Sequence, residues 1–505
     1  MNNKSNKLII KNSVGAVILQ LVNIICGLMI PQVFINTFGS DVYGLTTSIT
    51  QYLNYITLLE GGLSSVIMAA LYKPILEGDN SRINAIVNAT RKFFRQIGGI
   101  YIVYVMILGI VYPLIVDTGF SIKYIFALTV VLAAQLFVQY FFSLTYLILL
   151  NADKKVFLIS MIQAVSVVLT VGAAYIGVKL FDDIIWIKLL TTVTVFIQPV
   201  LFSFYVKKYF KLDKKVEPDN KALSQRWDGF GQNLAYFIHL NTDVVVLTHL
   251  STFKMVSVYT VYMFVANGIK MVAMSLSSAV TPSMGNILAT NDKDAIKESF
   301  DKYQFMMGMI STVLFACGIV LVMPFINIYT RTFKDAPYHQ PVFAVIILLA
   351  EFIYCIRDPY VSVVYSKGHF KQTSKYSYTE AAINIIISVI CVKQWGLIGV
   401  AIGTLVAMTY RMIVMVHYAC KNVLGLEAKR YVRGLILNIV FCMLSIPVAV
   451  IFKDLKLPGY IHWVLMGAAT AAVIGAVYFV FAWLFFKKDM DLVIHTFIRR
   501  HSDDA

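Results

Sequence analysis

Glu60, His239, Asp243, Lys270, Glu351, Arg357, Asp358, Glu380 and Arg411 all fall inside otherwise apolar stretches of this sequence. A charge at the centre of a bilayer costs about 2.5–3.5 kcal/mol on insertion scales, so each needs a partner or a wet pathway. Arg357 has Asp358 beside it and Glu351 nearby, which favours an internal salt bridge that holds helices together. Glu351 and Asp358 share a helical face. They could bind a cation, but pairing with Arg357 is the stronger expectation. His239 and Asp243 are spaced i, i+4. Histidine titrates near neutral pH, so this pair could relay a proton, and a structural role is the alternative. Arg411 lies near the end of its stretch, where a long cationic side chain can snorkel to the interface. The six cysteines stand singly in apolar runs with no C-x-x-C, so neither a disulfide framework nor a metal site is expected. Nothing calls for a cofactor.

The elements that hold these charges follow from composition. The chain has 505 residues, 59% hydrophobic and 14% charged, with a mean hydropathy of +0.74. Lipid offers no partners for backbone N–H and C=O groups, so each long apolar run must be a helix. The expected fold class is an all-α polytopic membrane protein of about fourteen transmembrane helices. The runs lie near 12–35, 43–71, 97–116, 122–150, 156–178, 184–206, 228–250, 256–288, 302–328, 340–365, 375–393, 396–419, 433–452 and 461–486.

The longest polar interior stretch is VKKYFKLDKKVEPDNKALSQRW, Val206–Trp227. It reads as a linker and divides the chain into an N-terminal lobe (1–206), the linker (207–227), a C-terminal lobe (228–420), and two extra helices with a tail (421–505). Loops alternate in charge. About 32 of the 43 Lys and Arg fall on one side, which puts both termini in the cytoplasm. The net charge of +16 is therefore a topology signal, and nucleic acid is not an expected partner. The short basic N-terminus lacks a small-residue cleavage site, so the first run reads as a retained helix. EGDNSRINAIVNATRKFFRQ and NDKDAIKESFDKYQ look amphipathic and suit helices lying at the headgroup layer. An ordinary solvated loop helix is the alternative.

The two halves resemble each other. Val42-Tyr43 recurs as Val258-Tyr259, Leu63-Ser64-Ser65 as Leu276-Ser277-Ser278, and Ile75-Leu76 before Asp79 as Ile287-Leu288 before Asp292. The exits of the fourth and tenth runs, Tyr146 to Lys155 and Tyr360 to Lys371, recur at a similar offset. Six runs per half give a parallel repeat, an arrangement in which transporters bind cargo between the halves and expose it to each side in turn. The repeat puts Glu60 and Lys270 at comparable depth, so they could pair across the lobes. Prolines within or at the ends of the runs offer hinges or static bends.

The stretches VYGLTTSITQYLNYITLLEGGLSSVIMAALYKPIL, NTDVVVL (241–247) and VSVYTVYMFVANGIKMVAMSLSSAVTPSMGNILATND (256–292) resemble bacterial polysaccharide and oligosaccharide repeat-unit flippases. These belong to the multidrug/oligosaccharidyl-lipid/polysaccharide flippase superfamily. The resemblance covers most of the first twelve runs. It implies a V-shaped two-lobed bundle with a central cavity. It also implies a cargo of capsule, O-antigen or exopolysaccharide units on undecaprenyl diphosphate, flipped across the bacterial cytoplasmic membrane by alternating access. Spans thirteen and fourteen are also present in the related lipid II flippases, where they help form a groove for the lipid tail, whereas many repeat-unit flippases have twelve spans.

For such a cargo, cations in a wet cavity would offset the lost hydration of phosphate. Lys270 and Arg357 are then the leading contacts, with Arg411 behind them. Gln51 and Asn54, near Glu60, could hydrogen-bond sugars or join helices. His239, Asp243, Glu351 and Asp358 are the candidates for ion coupling. The implied partners are the glycan carrier, membrane lipids and enzymes of the same pathway, such as a polymerase or glycosyltransferases, and the chain is expected to be a monomer. A drug–cation antiporter of the same superfamily is the first alternative. It is disfavoured because the first run has Gln20 and Asn23 and no carboxylate. A membrane polymerase or glycosyltransferase would need larger loops, so an enzyme is not expected. A major-facilitator transporter would need a different turn after the second run.

Overall fold

The computed structural model describes residues 3–60, 63–219, 230–290 and 292–492, and every regular element among them is helical. Each of the fourteen predicted runs is met by a helix or a broken pair. α1 (Asn3–Leu53) serves the first run and the start of the second. It breaks at Gly39, where φ is 82° and ψ 169°, a conformation only glycine takes without strain. A 3₁₀ stretch, Asn54–Glu60, follows, and then α2 (Leu63–Glu77). The second run is therefore not one continuous helix, and Glu60 closes a 3₁₀ turn instead of sitting mid-helix. The successive glycines after it in the sequence are poor helix formers.

Next come α3 (Asn80–Ile115), α4 (Ile122–Val138), a π turn over Gln139–Ser143, α5 (Leu144–Ala152) and α6 (Val156–Leu180). α7 (Ile184–Val195) and α8 (Ile197–Tyr209) follow. After the linker come α9 (Phe230–Leu250), α10 (Phe253–Thr290), α11 (Lys293–Tyr329), α12 (Pro341–Ser366), α13 (Phe370–Trp395) and α14 (Leu397–Ala419). The chain closes with α15 (Ala428–Met443), α16 (Ser445–Phe452) and α17 (Tyr460–Phe485). Among the described residues, ten helical segments are long and apolar enough to cross a membrane. α9, α12 and α13 are not among them. α12 and α13 are the helices that carry Glu351, Arg357, Asp358 and Glu380.

Chain contacts divide the molecule into two compact units, Met1–Phe237 with Thr252–Ser257 and Ile238–Ser251 with Val258–Ala505. In the first unit, α1 packs on α6, and α3 on α4. Its interior polar groups are mostly serines, threonines and tyrosines. The Tyr112 hydroxyl donates to Ser48 Oγ at 2.8 Å, and the Tyr104 hydroxyl to the Tyr52 carbonyl at 2.6 Å. The first part of the linker lies along α3. Asn84 Nδ2 donates to the Lys211 carbonyl and Asn84 Oδ1 accepts from the Asp213 N–H, each at 3.0 Å. Asn88 Nδ2 donates to the carbonyls of Asp213 and Val216 at 2.9 Å. Residues 220–227 of the linker lie outside the described residues.

In the second unit, α11 is the most deeply buried span and α17 the least. α15, α16 and α17 pack on α11. Phe305, Ala316, Phe441, Tyr478 and Ala482 form their shared core. Asn438 Oδ1 accepts from Tyr478 at 2.8 Å and Thr312 at 3.2 Å, and Trp463 Nε1 donates to the Leu321 carbonyl at 3.1 Å. α13 and α14 form a hairpin about Gly396, whose φ is 53°. Gly399 and Gly403 bring the two backbones together. A Cβ on them would fall 2.4 Å from the Cys391 carbonyl carbon and 2.1 Å from Ser388 Oγ. This is the small-residue i, i+4 spacing by which membrane helices approach closely.

The repeat is visible in how helices begin and end. Asp79 caps α3 by accepting from the Arg82 N–H, and Asp292 caps α11 by accepting from the N–H groups of Asp294 and Ala295. α5 ends on Lys154 with φ 59°, and α12 on Gly368 with φ 77°. Both ends close alike. The Lys155 N–H bonds the Leu150 carbonyl at 2.9 Å and the His369 N–H bonds the Val364 carbonyl at 3.1 Å, each a six-residue closure. The caps also revise the two amphipathic stretches. Each begins at its Asp cap and runs without a break into α3 or α11, so neither is a separate helix at the headgroup layer.

Candidate functional site

Several charges of the second unit gather about α12. Side chains seven residues apart on a helix lie two turns apart on nearly the same face. Glu351 and Asp358 have that spacing on α12, and Lys270 and Ser277 have it on α10. The two helices meet in register. Lys270 Nζ lies 2.8 Å from Glu351 Oε2, and Ser277 Oγ donates to Asp358 Oδ2 in a short hydrogen bond. The Tyr303 hydroxyl, at 3.1 Å, and Ser362 Oγ, at 3.2 Å, also donate to Asp358 Oδ2.

Arg357 points elsewhere, and its predicted partners are corrected. Adjacent side chains on a helix diverge by about 100°, so Asp358 cannot turn back to it. Glu351, six positions earlier, faces α10. Arg357 Nη1 instead reaches Glu380 Oε1 on α13 at 3.0 Å. Glu380 Oε2 lies 3.7 Å from Arg411 Nε on α14. Arg411 is 3% exposed and does not snorkel. Its Nη2 donates to the Tyr365 hydroxyl at 3.2 Å, and its Nη1 is buried without a hydrogen-bond partner. The Tyr354 ring has Lys270 Nζ 5.1 Å and the Arg357 guanidinium 4.7 Å from its centre, both in cation–π range. Lys270, Arg357 and Arg411 thus stand against Glu351, Glu380 and Asp358, three cations to three carboxylates.

Asp243 of α9 forms a second site, held by hydroxyl groups. Its Oδ2 accepts from Tyr259 at 2.8 Å and Thr404 at 2.9 Å, while Oδ1 is buried without a hydrogen-bond partner among the described residues. Asn384 Nδ2 braces Thr404 at 3.1 Å. The predicted His239 partner has its side chain outside the described residues.

In the first unit Glu60 is held by the Tyr140 hydroxyl at 2.5 Å. Its partner is thus a tyrosine of the same unit, and the partner of Lys270 is Glu351. Gln51 ends α1 and Asn54 opens the 3₁₀ stretch, both half-buried. The residues missed from sequence are mostly hydroxyls: Ser277, Tyr303, Tyr354, Tyr365 and Tyr140. A seven-residue match between Lys270, Ser277 and the two α12 acids was their one available signal.

A family model described as MatE matches residues 230–390. No curated protein matches the chain as a sequence. Among solved structures, the lipid II flippase MurJ in an inward closed conformation superposes with a TM-score of 0.72 at 15% identity, covering 95% of this chain and 99% of that one. An outward-facing multidrug resistance MATE family transporter of the MOP superfamily superposes with a TM-score of 0.55 at 14% identity, over 84% of this chain and 96% of its own. Its inward-facing counterpart gives 0.54 at 15% identity, over 82% and 98%. The chain is a multi-pass membrane protein with the fold that these flippases and drug transporters share.

Proposed function

We propose that this protein is a flippase that moves an undecaprenyl-diphosphate-linked oligosaccharide across the bacterial cytoplasmic membrane by alternating access, with both termini in the cytoplasm. The observation that carries the reading is the superposition on a lipid II flippase over nearly the whole chain, last two spans included. The drug transporters leave a share uncovered that is similar in length to those spans. The buried cluster of Lys270, Arg357 and Arg411 supplies what the cargo requires. A diphosphate loses its hydration on entering the membrane, and gathered cationic side chains with an unsatisfied guanidinium N–H can replace it. The apolar cleft of about 650 Å³ among α11, α15, α16 and α17, with Val320, Phe441, Val448 and Val473 in its wall, suits the polyprenyl tail. Asp243 is the coupling-ion candidate, as a buried carboxylate with one free oxygen.

Depletion of the protein in its host, followed by mass analysis of lipid-linked glycans on each membrane face, tests the reading. Complete repeat units held on the cytoplasmic face are expected. Unchanged glycans with altered resistance to cationic drugs would replace the reading with a drug antiporter, and truncated glycans with an enzyme.

A further inference from the structure

Away from the cluster above, the first unit carries a cleft of about 570 Å³ between the start of α3, the region from the π turn to α5, and α8. The docked part of the linker closes its rim through Lys214. Arg91, Arg95, Lys207 and Lys214 crowd its polar end, and no carboxylate lines it among the described residues. Among the described residues, Arg91 is steadied by neutral groups: its Nη1 donates to Asn88 Oδ1 at 3.1 Å, and its guanidinium lies 5.9 Å from the Tyr146 ring centre. The same Asn88 anchors the linker backbone on either side of Lys214. The cations therefore come from three elements held together by the fold. The opposite wall is Phe142, Phe196, Val200 and Phe204, all large apolar side chains left exposed. On a membrane-crossing helix such side chains meet acyl chains.

We propose that this cleft binds an anionic phospholipid. Its phosphates sit among Arg91, Arg95, Lys207 and Lys214, and its acyl chains run down the phenylalanine wall. A soluble polyanion would leave that wall without a partner, and a zwitterionic lipid would leave the cations uncompensated. Four cations match two phosphodiesters better than one, so cardiolipin is preferred over phosphatidylglycerol. The bound lipid ties the linker to α3 and α8.

The test is lipid titration of the full chain in detergent, read by native mass spectrometry with cardiolipin, phosphatidylglycerol, phosphatidylethanolamine and inorganic pyrophosphate as probes. Cardiolipin is expected to bind in a discrete step, and each of Arg91→Gln, Arg95→Gln, Lys207→Gln and Lys214→Gln to weaken it about five-fold. Lys371→Gln with Lys375→Gln, which removes twice that charge elsewhere, is expected to change nothing. Ser203→Trp fills the cleft and keeps every charge, and it is expected to abolish the preference for cardiolipin over phosphatidylethanolamine. Thermal unfolding checks that each variant is folded. The proposal is overturned if the cleft variants bind as the parent does, if the distant pair weakens binding equally, or if pyrophosphate competes as well as the lipid.

Discussion

Buried ion pairs are asymmetric objects: removing one partner costs far more than removing both. Glu351→Ala leaves the Lys270 ammonium without its counter-charge and is expected to lower stability by about 3–5 kcal/mol. Lys270→Met with Glu351→Leu, which keeps the volume, is expected to recover most of that, as read by thermal unfolding of the purified protein. Transport separates structure from function at the same position. Lys270→Ala at matched membrane level is expected to impair glycan export, and the stable double variant is expected to remain impaired. Normal export by the double variant would remove Lys270 from the cargo site. A gentler change, Tyr303→Phe, deletes one of three donors to Asp358 and is expected to cost about 1 kcal/mol. The charges themselves were legible in the sequence, because a bilayer makes every one of them conspicuous. Their pairing was not. Arg357 was matched with Asp358 and Glu351 by nearness in the chain, whereas helix geometry sends the three side chains toward different neighbours. Hydroxyl partners such as Tyr140 and Ser277 carry no charge and stand out from nothing.

Helix ends explain why the repeat could be read at all. Asp79 and Asp292 recur because each caps a helix, and Lys154 and Gly368 because each ends one in a left-handed turn. Lysine pays for that conformation where glycine does not. Lys154→Gly is therefore expected to stabilise the first unit by up to about 1 kcal/mol, measured as a rise in unfolding temperature. The linker offers a second test. Asn88→Ala removes two side-chain bonds to its backbone and is expected to speed hydrogen exchange or proteolysis within residues 211–219, with the helices unaffected. Apolar periodicity located every helix but not the break at Gly39 or the 3₁₀ stretch before the glycine pair, since hydropathy stays high through both. It also detached the amphipathic starts of α3 and α11 from their spans, because a change in polarity need not be a change in backbone.

At the scale of the whole chain, charge alternation between loops makes a topology prediction that needs no cargo. A single cysteine at Lys214 is expected to react with an impermeant maleimide from the cytoplasmic side only, and labelling from outside would invert the orientation. The contact of Gly399 and Gly403 with α13 has a mechanical consequence. Helices slide past one another on a lubricating layer of side chains, and α13 and α14 have none between them there. In the proposed transport cycle they are expected to move as one body. Glu380 and Arg411 ride on it together, while Arg357 belongs to the neighbouring α12. The Arg357–Glu380 bond therefore ties that helix pair to α12, and the Glu380–Arg411 bond lies within it.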